Sequence, residues 1–294
     1  MDKMDLEQVV CPLCEASECK KDTSLSKTQD LLICDVCGLY FVQPMPLSTK
    51  IYNQDYFRAW GMSDGALPDH VYRLKEETMR WHLNQIRRFF DKGEILEVGS
   101  AMGSFLKLAQ EQGFDVKGIE VSEKACEIAR SKVGGENVFN GTLESANIKP
   151  SSFDVLFMSD VIEHIPEPLP FLEKAFNSIR KGGIIYFTTP DPNHWSRKFF
   201  GKNWVHYKDE HLMFLSLKTF DWIADHFGLY LFDFSPSQKY ADLNYLSYQL
   251  EHFDYKLLGV FSRLIRRVIP NRMCEALVPI SIGESRCILF KPTF

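Results

Sequence analysis

The sequence has no apolar run close to the ~20 residues that a membrane-spanning helix requires. Residues 1–8 carry acidic side chains and no apolar stretch, so we expect no secretory signal peptide there. Basic side chains are fewer than acidic ones: the sequence has 34 lysines and arginines and 39 aspartates and glutamates, which gives a formal net charge of −5. Non-specific nucleic-acid binding depends on clustered basic residues, so this composition disfavours it. We expect a cytoplasmic protein.

Internal repeats and low-complexity tracts are absent as well. Hydrophobic residues make up 45% and charged residues 25% of the 294 residues, which is ordinary usage for a globular protein. This length suits one core domain with a smaller appendage. In a reducing compartment the eight cysteines would be thiols or metal ligands, not disulfides.

Four cysteines form two CxxC pairs, Cys11 with Cys14 and Cys34 with Cys37. This arrangement is typical of four-cysteine zinc sites, in which both thiolates of a pair contact one tetrahedral ion. Since cysteine fills every ligand position, we expect a structural zinc with no open site for water. Cys19 fits neither pair and is not expected to be a ligand. A thioredoxin-like redox pair is the alternative, but no β-α-β pattern surrounds either CxxC.

The chain divides by pattern into three parts. Residues 1–45 are expected to form the zinc-binding module, with a positive φ at Gly38 after the second pair. Residues 46–92 hold a proline- and aromatic-rich linker and then a helix that starts at Asp69 and ends near Lys92. Residues 93–294 form the main domain, with an insertion at about 240–285.

Strand-like and helix-like segments alternate through the main domain. The predicted strands are Glu94 to Val98, Phe114 to Val121, Val138 to Asn140, Phe153 to Ser159, Gly183 to Thr189, Leu229 to Phe234 and Arg286 to Phe290. The predicted helices are Ser104 to Gln112, Glu123 to Ser131, Leu169 to Arg180 and Lys218 to Phe227. This alternation predicts an α/β fold with a doubly wound, seven-stranded, parallel Rossmann-like sheet beside a small zinc-ribbon-like module.

Suitable ligand-binding groups follow three of these strands. The first strand runs into a loop bounded by Gly99 and Gly103, where backbone N–H groups can approach a ligand. Glu120 ends the next strand, where a carboxylate can accept hydrogen bonds from ribose hydroxyls. Ser159 and Asp160 end the strand that starts at Phe153. Each feature alone fits turn chemistry or a solvated loop charge, but their order along the chain indicates a nucleotide-like cofactor.

Several motifs together resemble those of class I S-adenosylmethionine-dependent methyltransferases, over about residues 70–294. They are Glu97-Val-Gly99-Ser-Ala-Met-Gly103, Ile119-Glu120, Gly141-Thr-Leu-Glu144, Phe153-Asp154-Val155, Val161-Ile-Glu-His164-Ile-Pro and Gly182-Gly183-Ile. The sequence departs from the family at Ala101, which usually is glycine, and at Thr142, which often is an acid. The GxGxxG spacing of NAD-dependent dehydrogenases, the natural rival, is absent.

The resemblance implies S-adenosylmethionine as cofactor and assigns residues to its parts. Gly99 and Gly103 would lie beside the methionine part, Glu120 would hold the ribose hydroxyls, and Glu97 would also bind the cofactor. The other implied contacts are the backbone of Thr142 and Leu143 at the adenine, and Ser159 and Asp160 at the amino-acid end.

The acceptor needs a base if it is a hydroxyl or a carbon acid, and His164, His194, His206 and His211 are candidates. His164 stands in Asp160-Val-Ile-Glu-His164, which resembles the acid–acid–histidine cluster of ubiquinone-pathway O-methyltransferases, where a divalent ion has been implicated. The alternative, which we favour, is that this segment only shapes the strand edge beside the cofactor.

Tyr207-Lys-Asp-Glu210-His211 resembles the Tyr-x-Glu-His segment of deoxysugar C-methyltransferases. In those enzymes the histidine is the proposed base, and tyrosine and glutamate are its neighbours. They also carry an N-terminal four-cysteine zinc region, as well as a C-terminal domain that this sequence does not include. The resemblance implies a small-molecule substrate, a sugar or glycan precursor, methylated on carbon or oxygen.

Two other functions remain open. An RNA base methyltransferase could use the zinc module to hold RNA, but the net acidity and the absence of an Asn-Pro-Pro-Tyr-like motif disfavour nucleic acid. A non-enzymatic scaffold on a degenerate fold is disfavoured by Glu120 and both loop glycines. Residues 255–269 form a basic amphipathic segment that favours active-site covering or a dimer contact over membrane contact.

Overall fold

A computed structural model describes residues 9–22, 31–43, 45, 69–252 and 270–293. The strands are β1 (Cys19–Lys21), β2 (Leu31–Cys34), β3 (Tyr40–Val42), β4 (Glu94–Val98), β5 (Asp115–Glu120), β6 (Val138–Asn140), β7 (Phe153–Ser159), β8 (Ile179–Pro190), β9 (Met213–Phe214), β10 (Tyr230–Pro236), β11 (Lys239–Ala241), β12 (Val278–Ile280) and β13 (Glu284–Phe290). The helices are α1 (Asp69–Ile86), α2 (Ser104–Glu111), α3 (Glu123–Val133), α4 (Pro168–Asn177), α5 (Trp195–Phe200), α6 (Leu217–Phe227), α7 (Leu243–His252) and α8 (Asn271–Cys274).

The main sheet has seven strands in the order β10-β13-β8-β7-β4-β5-β6, which confirms the predicted doubly wound fold. Strands β4 to β8 pair in parallel, whereas β13 is antiparallel to both β8 and β10. The sheet is therefore mixed, not wholly parallel as predicted. β13 lies between β8 and β10 and runs opposite to both, which an alternation of strand and helix patterns does not reveal.

Most predicted boundaries agree with the structure to within a few residues. The strand β8 starts at Ile179, four residues before the predicted Gly183, and α4 accordingly ends at Asn177 and not Arg180. The helix α1 ends at Ile86, short of the predicted Lys92. The backbone after it continues in tighter turns, with Phe89 N–H donating to the Ile86 carbonyl at 2.9 Å.

Alternating apolar side chains bury both faces of the central strands, as a doubly wound sheet requires. In β7, Val155 and Phe157 face a core formed with α1, α2 and α3. Leu156 and Met158 face a second core formed with α4 and α6. The cysteine pairs, Leu32 of β2 and Phe41 of β3 belong to or pack against this second core, so the N-terminal module packs on that face of the main sheet. Leu31 and Val42 instead form a smaller cluster with Trp204, Leu212 and Phe214.

The N-terminal module has its own antiparallel sheet, in the order β1-β2-β3-β9. Its last strand comes from the main domain, since β9 pairs with β3 through Tyr40 opposite Phe214 and Phe41 opposite Met213. Gly38 has the predicted positive φ, 72°. A Cβ at Gly38 would lie 2.9 Å from Lys218 Cβ, so glycine lets the second CxxC pair approach the start of α6.

The predicted insertion carries β11, α7, α8 and β12, and β11 pairs with β12. The basic amphipathic segment that we predicted at 255–269 lies outside the described residues. Within the described ranges, no helix is both long and apolar enough to span a bilayer.

Candidate active site

The loop after β4 holds three residues with left-handed backbone. Gly99, Ala101 and Gly103 have φ values of 77°, 46° and 70°. A Cβ at Gly103 would lie 2.9 Å from the Ala129 Cα, so glycine allows α2 to pack closely on α3. A Cβ at Gly99 would lie 2.6 Å from Val161 Cγ2. The loop is thus shaped by glycine at both ends, as the sequence predicted.

Glu120 joins this loop to the end of β5. Its buried carboxylate accepts hydrogen bonds from the backbone N–H groups of Ala101 at 2.7 Å and Ser122 at 2.9 Å. Burial raises the pKa of Glu120, although these hydrogen bonds oppose the rise. Each carboxylate oxygen keeps a second lone pair, so the group can still accept from ribose hydroxyls.

Buried polar atoms without partners lie beside the same loop. Glu97 Oε2 and Ser100 Oγ have no hydrogen-bond partner in the described structure. Burial, with the neighbouring Glu120 carboxylate, raises the pKa of Glu97 well above its usual value. An unsatisfied buried carboxylate is costly. A bound ammonium or sulfonium group would relieve that cost, so these residues fit the amino-acid part of S-adenosylmethionine.

The remaining predicted cofactor residues lie at the ends of β6 and β7. The Thr142 backbone N–H donates to Ser145 Oγ at 3.0 Å, and the Leu143 side chain is buried in the core. The carbonyls of Thr142 and Leu143 both accept from the Ala146 N–H, at 3.1 and 3.2 Å. Ser159 Oγ lies 2.8 Å from Thr188 Oγ1. Sequence reasoning missed Val121, whose exposed side chain follows Glu120 and offers apolar surface there.

Asp160 is held by a lysine that sequence reasoning also missed. Lys239 Nζ lies 3.1 Å from Asp160 Oδ2 and 2.5 Å from Glu284 Oε1. Burial alone would raise the pKa of Asp160, but its attraction to Lys239 lowers it. For Glu284, burial outweighs the attraction to Lys239 and raises the pKa of the carboxyl to about 7. Burial, with repulsion from Lys239, lowers the pKa of Lys75 to about 7.

The two leading candidate bases are neighbours. The rings of His164 and His211 lie 4.9 Å apart between centroids, at 76°. Ligand-type atoms of Glu163, His164 and His211 lie within 4.8 Å of one another, all buried, so the three could hold a metal ion. Asp160, which the sequence grouped with Glu163 and His164, is instead paired with Lys239.

Hydrogen bonds define which nitrogens of this pair can take a proton. His164 Nδ1 lies 2.8 Å from the Glu210 carbonyl and must donate to it, which leaves Nε2 as the lone-pair nitrogen. His211 Nδ1 and Glu163 Oε1 have no partner in the described structure. Burial lowers the pKa of both histidines and raises that of Glu163 well above its usual value. Both rings are therefore neutral at pH ~7.

The other two candidate histidines have different surroundings. His194 caps α5: its Nδ1 accepts from the Ser196 backbone N–H and lies 2.8 Å from Ser196 Oγ. Its side chain therefore stabilises the start of that helix. The buried His206 ring stacks beside His211 at 6.2 Å, and its Nδ1 is 3.9 Å from Glu284 Oε1. Burial lowers its pKa well below the usual value.

The predicted neighbours of His211 contribute differently from expectation. Glu210 provides its backbone carbonyl to His164. Tyr207 faces the N-terminal module, where its hydroxyl accepts from Arg197 Nε at 2.7 Å. A ring N–H of His211 donates to the backbone carbonyl of His206, which opposes the lowering of the His211 pKa by burial.

These buried histidines make stability pH-dependent. Their pKa values are below 6.5 in the folded chain, so below pH 6.5 the unfolded chain binds more protons than the folded chain. The free energy of unfolding should fall as pH drops below 6.5, by up to ~1.4 kcal/mol per pH unit for each histidine. Urea unfolding between about pH 7.5 and about pH 5.5 measures this. His206→Asn should flatten the slope, and an unchanged slope would contradict the assignment.

The four cysteines of the module form a compact cluster. Their sulfurs lie within 4.8 Å of one another, with Cys11 Sγ 3.6 Å from Cys37 Sγ and Cys14 Sγ 3.4 Å from Cys34 Sγ. A tetrahedral ion with ~2.3 Å bonds to sulfur places its ligands about 3.8 Å apart, so the donor set fits zinc. Cys19 lies outside the cluster, with its Sγ 3.9 Å from the Ala16 carbonyl.

A family model described as a methyltransferase domain matches residues 70–233. Among curated relatives are ubiquinone biosynthesis O-methyltransferases from Aliivibrio fischeri (24% identical, 50% of this chain and 64% of the relative) and Serratia proteamaculans (26%, 46% and 57%). The chain thus spans about three fifths of the length of these relatives. Two solved structures share the fold. A protein from Bacillus halodurans C-125 has a TM-score of 0.51 and 17% identity, and the match covers 72% of this chain and 98% of that one. A protein from Pyrococcus horikoshii OT3 has a TM-score of 0.52 and 13% identity, and the match covers 81% of this chain and 99% of that one.

Proposed function

We propose that this chain methylates an acidic hydroxyl of a small molecule. The premise is that the chain belongs to the methyltransferase domain family and is an S-adenosylmethionine-dependent methyltransferase. The observation that carries this proposal is the buried, neutral pair of His164 and His211 beside the cofactor edge of the sheet. Such a pair can accept the proton that a hydroxyl loses during methyl transfer.

The strength of the base narrows the acceptor. A histidine whose pKa is below 6.5 is a weak base, so it matches a phenolic hydroxyl, with a pKa of about 10, better than an ordinary alcohol. The names of the ubiquinone-pathway relatives support a phenolic quinone precursor. We therefore rank this acceptor above the sugar precursor favoured by the sequence. A keto-sugar, whose carbon next to a carbonyl is acidic, is the second candidate and is supported by the four-cysteine module.

The cofactor would supply a methyl group activated on sulfonium, and the chain's residues would hold and align it. Glu97 would accept from its ammonium group, Glu120 from its ribose hydroxyls, and the loop from Gly99 to Gly103 would pack against its methionine part. Thr142, Leu143, Ser159 and Asp160 would complete the pocket through backbone and hydroxyl groups. Alignment of methyl and acceptor accounts for a large part of the rate in such displacements.

The acceptor class can be tested directly. The protein is incubated with methyl-labelled S-adenosylmethionine and either a catechol or a nucleotide-linked keto-deoxysugar, and S-adenosylhomocysteine is measured. Methylation of the catechol supports the phenolic acceptor, and methylation of only the keto-sugar overturns it. Parallel reactions with and without added Mg²⁺, on protein whose four-cysteine site keeps its metal, test whether Glu163, His164 and His211 act through a second metal ion.

We expect Glu120→Ala to weaken cofactor binding by ~1.5–3 kcal/mol, because a charge-assisted hydrogen bond to ribose is lost. Calorimetry measures the dissociation constant. Glu123→Ala, which removes an exposed carboxylate three residues away, is the matched control and should bind normally. Equal affinities for the two variants would refute the role of Glu120.

We propose a structural zinc held by Cys11, Cys14, Cys34 and Cys37, and expect about one equivalent in purified protein. Cys14→Ser should reduce that content to below about half and unfold the module while the main sheet persists. Metal analysis and circular dichroism measure these effects. Cys19→Ser is the matched control, since its thiol lies outside the cluster. Full metal content in Cys14→Ser would show that the assignment is wrong.

A further inference from the structure

Backbone hydrogen bonds run from the N-terminal module to the residues next to both candidate bases, Leu212 beside His211 and Glu163 beside His164. The acceptor segment, defined as residues 204–214, contains His211 and β9 and pairs with β3 of the module. Next to this pairing, Val42 N–H donates to the Leu212 carbonyl at 2.9 Å, and Leu212 N–H donates to the Glu163 carbonyl at 2.8 Å. The module, the acceptor segment and the turn that carries His164 therefore share one continuous set of hydrogen bonds.

Arg197 connects the same parts through its side chain. Its Nε donates to the Tyr207 hydroxyl at 2.7 Å, its Nη1 donates to the Pro192 carbonyl at 3.0 Å, and its Nη2 pairs with Asp22. Its guanidinium also lies 5.1 Å from the ring centroid of Tyr40. The Arg197 and Asp22 side chains are only 10% and 6% exposed, so solvent screens this ion pair weakly.

A third connection lies at the far end of the acceptor segment. Ser216 Oγ donates to the Gly38 carbonyl at 2.9 Å, immediately after the second cysteine pair. Lys218 Nζ donates to the Asp35 carbonyl, between Cys34 and Cys37, at 2.6 Å. The cysteine cluster therefore fixes the loop between β2 and β3, and that loop holds the residues that follow the acceptor segment.

We propose that the four-cysteine module positions the acceptor segment, so that metal binding at the module sets the arrangement of His164 and His211. Arg197 is the positioning residue that joins the module to Tyr207. This inference rests on the proposed function in one respect only, namely that the acceptor segment carries the proton acceptor. The coupling itself is a structural property and can be measured without any methyl acceptor.

Hydrogen exchange of the full chain, followed by mass spectrometry, tests the coupling. The metal-loaded protein is compared with protein treated with a chelator. Peptides covering 204–214 and 160–166 should exchange at least ~10-fold faster after metal removal, while residues 94–103 keep their rate and cofactor affinity stays within about twofold. Faster exchange confined to residues 31–43 would overturn the proposal.

Substitutions test the same coupling in protein that keeps its metal. They remain informative if chelation unfolds the whole chain. Asp22→Asn removes the negative charge that pairs with Arg197. Arg197→Lys removes the guanidinium group, whose Nε and Nη2 contact Tyr207 and Asp22 at the same time. Both variants should retain full metal content and cofactor affinity yet speed exchange of residues 204–214. Lys20→Ala is the matched control, because Lys20 pairs with Asp35 at an exposed position. An Asp22→Asn variant that exchanges like Lys20→Ala would overturn the proposal.

The two proposals fail in different ways. If neither acceptor is methylated but metal removal speeds exchange of the acceptor segment, the proposed acceptor is wrong and the coupling stands. If His211→Asn removes activity but exchange does not depend on metal, the proposed function stands and the positioning role of the module is wrong.

Discussion

We expect His211→Asn to lower turnover ~10²–10⁴-fold while leaving cofactor affinity unchanged. His211 Nδ1 is buried without a partner, and burial keeps the ring neutral at pH ~7, so it is free to take a proton. Asparagine is close in size but cannot hold a proton there. Single-turnover methyl transfer to a catechol measures the rate, and calorimetry measures cofactor binding.

The matched comparison is the variant of the other candidate base, His164→Asn, because the two rings are in contact and are equally buried. If His164→Asn removes turnover and His211→Asn does not, the base lies on the turn after β7, as in the quinone-type relatives. If both lose activity, the pair acts together, directly or by holding a metal ion. Unchanged turnover in both variants would refute a histidine base and leave alignment as the source of catalysis.

The main sheet was predictable because its central strands are apolar on both faces and bounded by turns. The bounds of β4, β6 and β7 agree with those predicted. The strands β9, β11 and β12 were not predicted. They have only two or three residues each, and a segment that short has no period of its own and depends on its partner strand. The reversed direction of β13 was hidden for a similar reason, since strand direction depends on the path of the chain.

The candidate site was predictable wherever motif order defines it, as for Gly99, Gly103 and Glu120. It was not predictable where tertiary contacts determine which side chains lie next to one another. The sequence treats His164 and His211 as rivals, whereas the fold brings their rings together through the hydrogen bond from Leu212 to Glu163. Lys239 has no motif around it, and its pairing with Asp160 depends on the position of the insertion.

We expect Gly99→Val to weaken S-adenosylmethionine binding by at least ~100-fold, which corresponds to about 2.7 kcal/mol. The φ of Gly99 is 77°, and this conformation costs a residue with a Cβ about 1–2 kcal/mol. The added Cβ would also lie 2.6 Å from Val161 Cγ2, so either the loop or the Val161 side chain must move. Both border the proposed cofactor pocket, so movement of either disrupts it. Calorimetry on the folded variant measures the loss.

Gly113→Val separates backbone strain from the steric effect. Gly113 also has a positive φ, 88°, but a Cβ there would meet nothing within 4 Å. This variant should therefore lose about 1–2 kcal/mol of stability and keep its cofactor affinity. A Gly99→Val variant that binds as tightly as Gly113→Val would show that the loop after β4 does not approach the cofactor. A loss of binding in Gly99→Val alone would leave the close packing of the loop against Val161 as its cause.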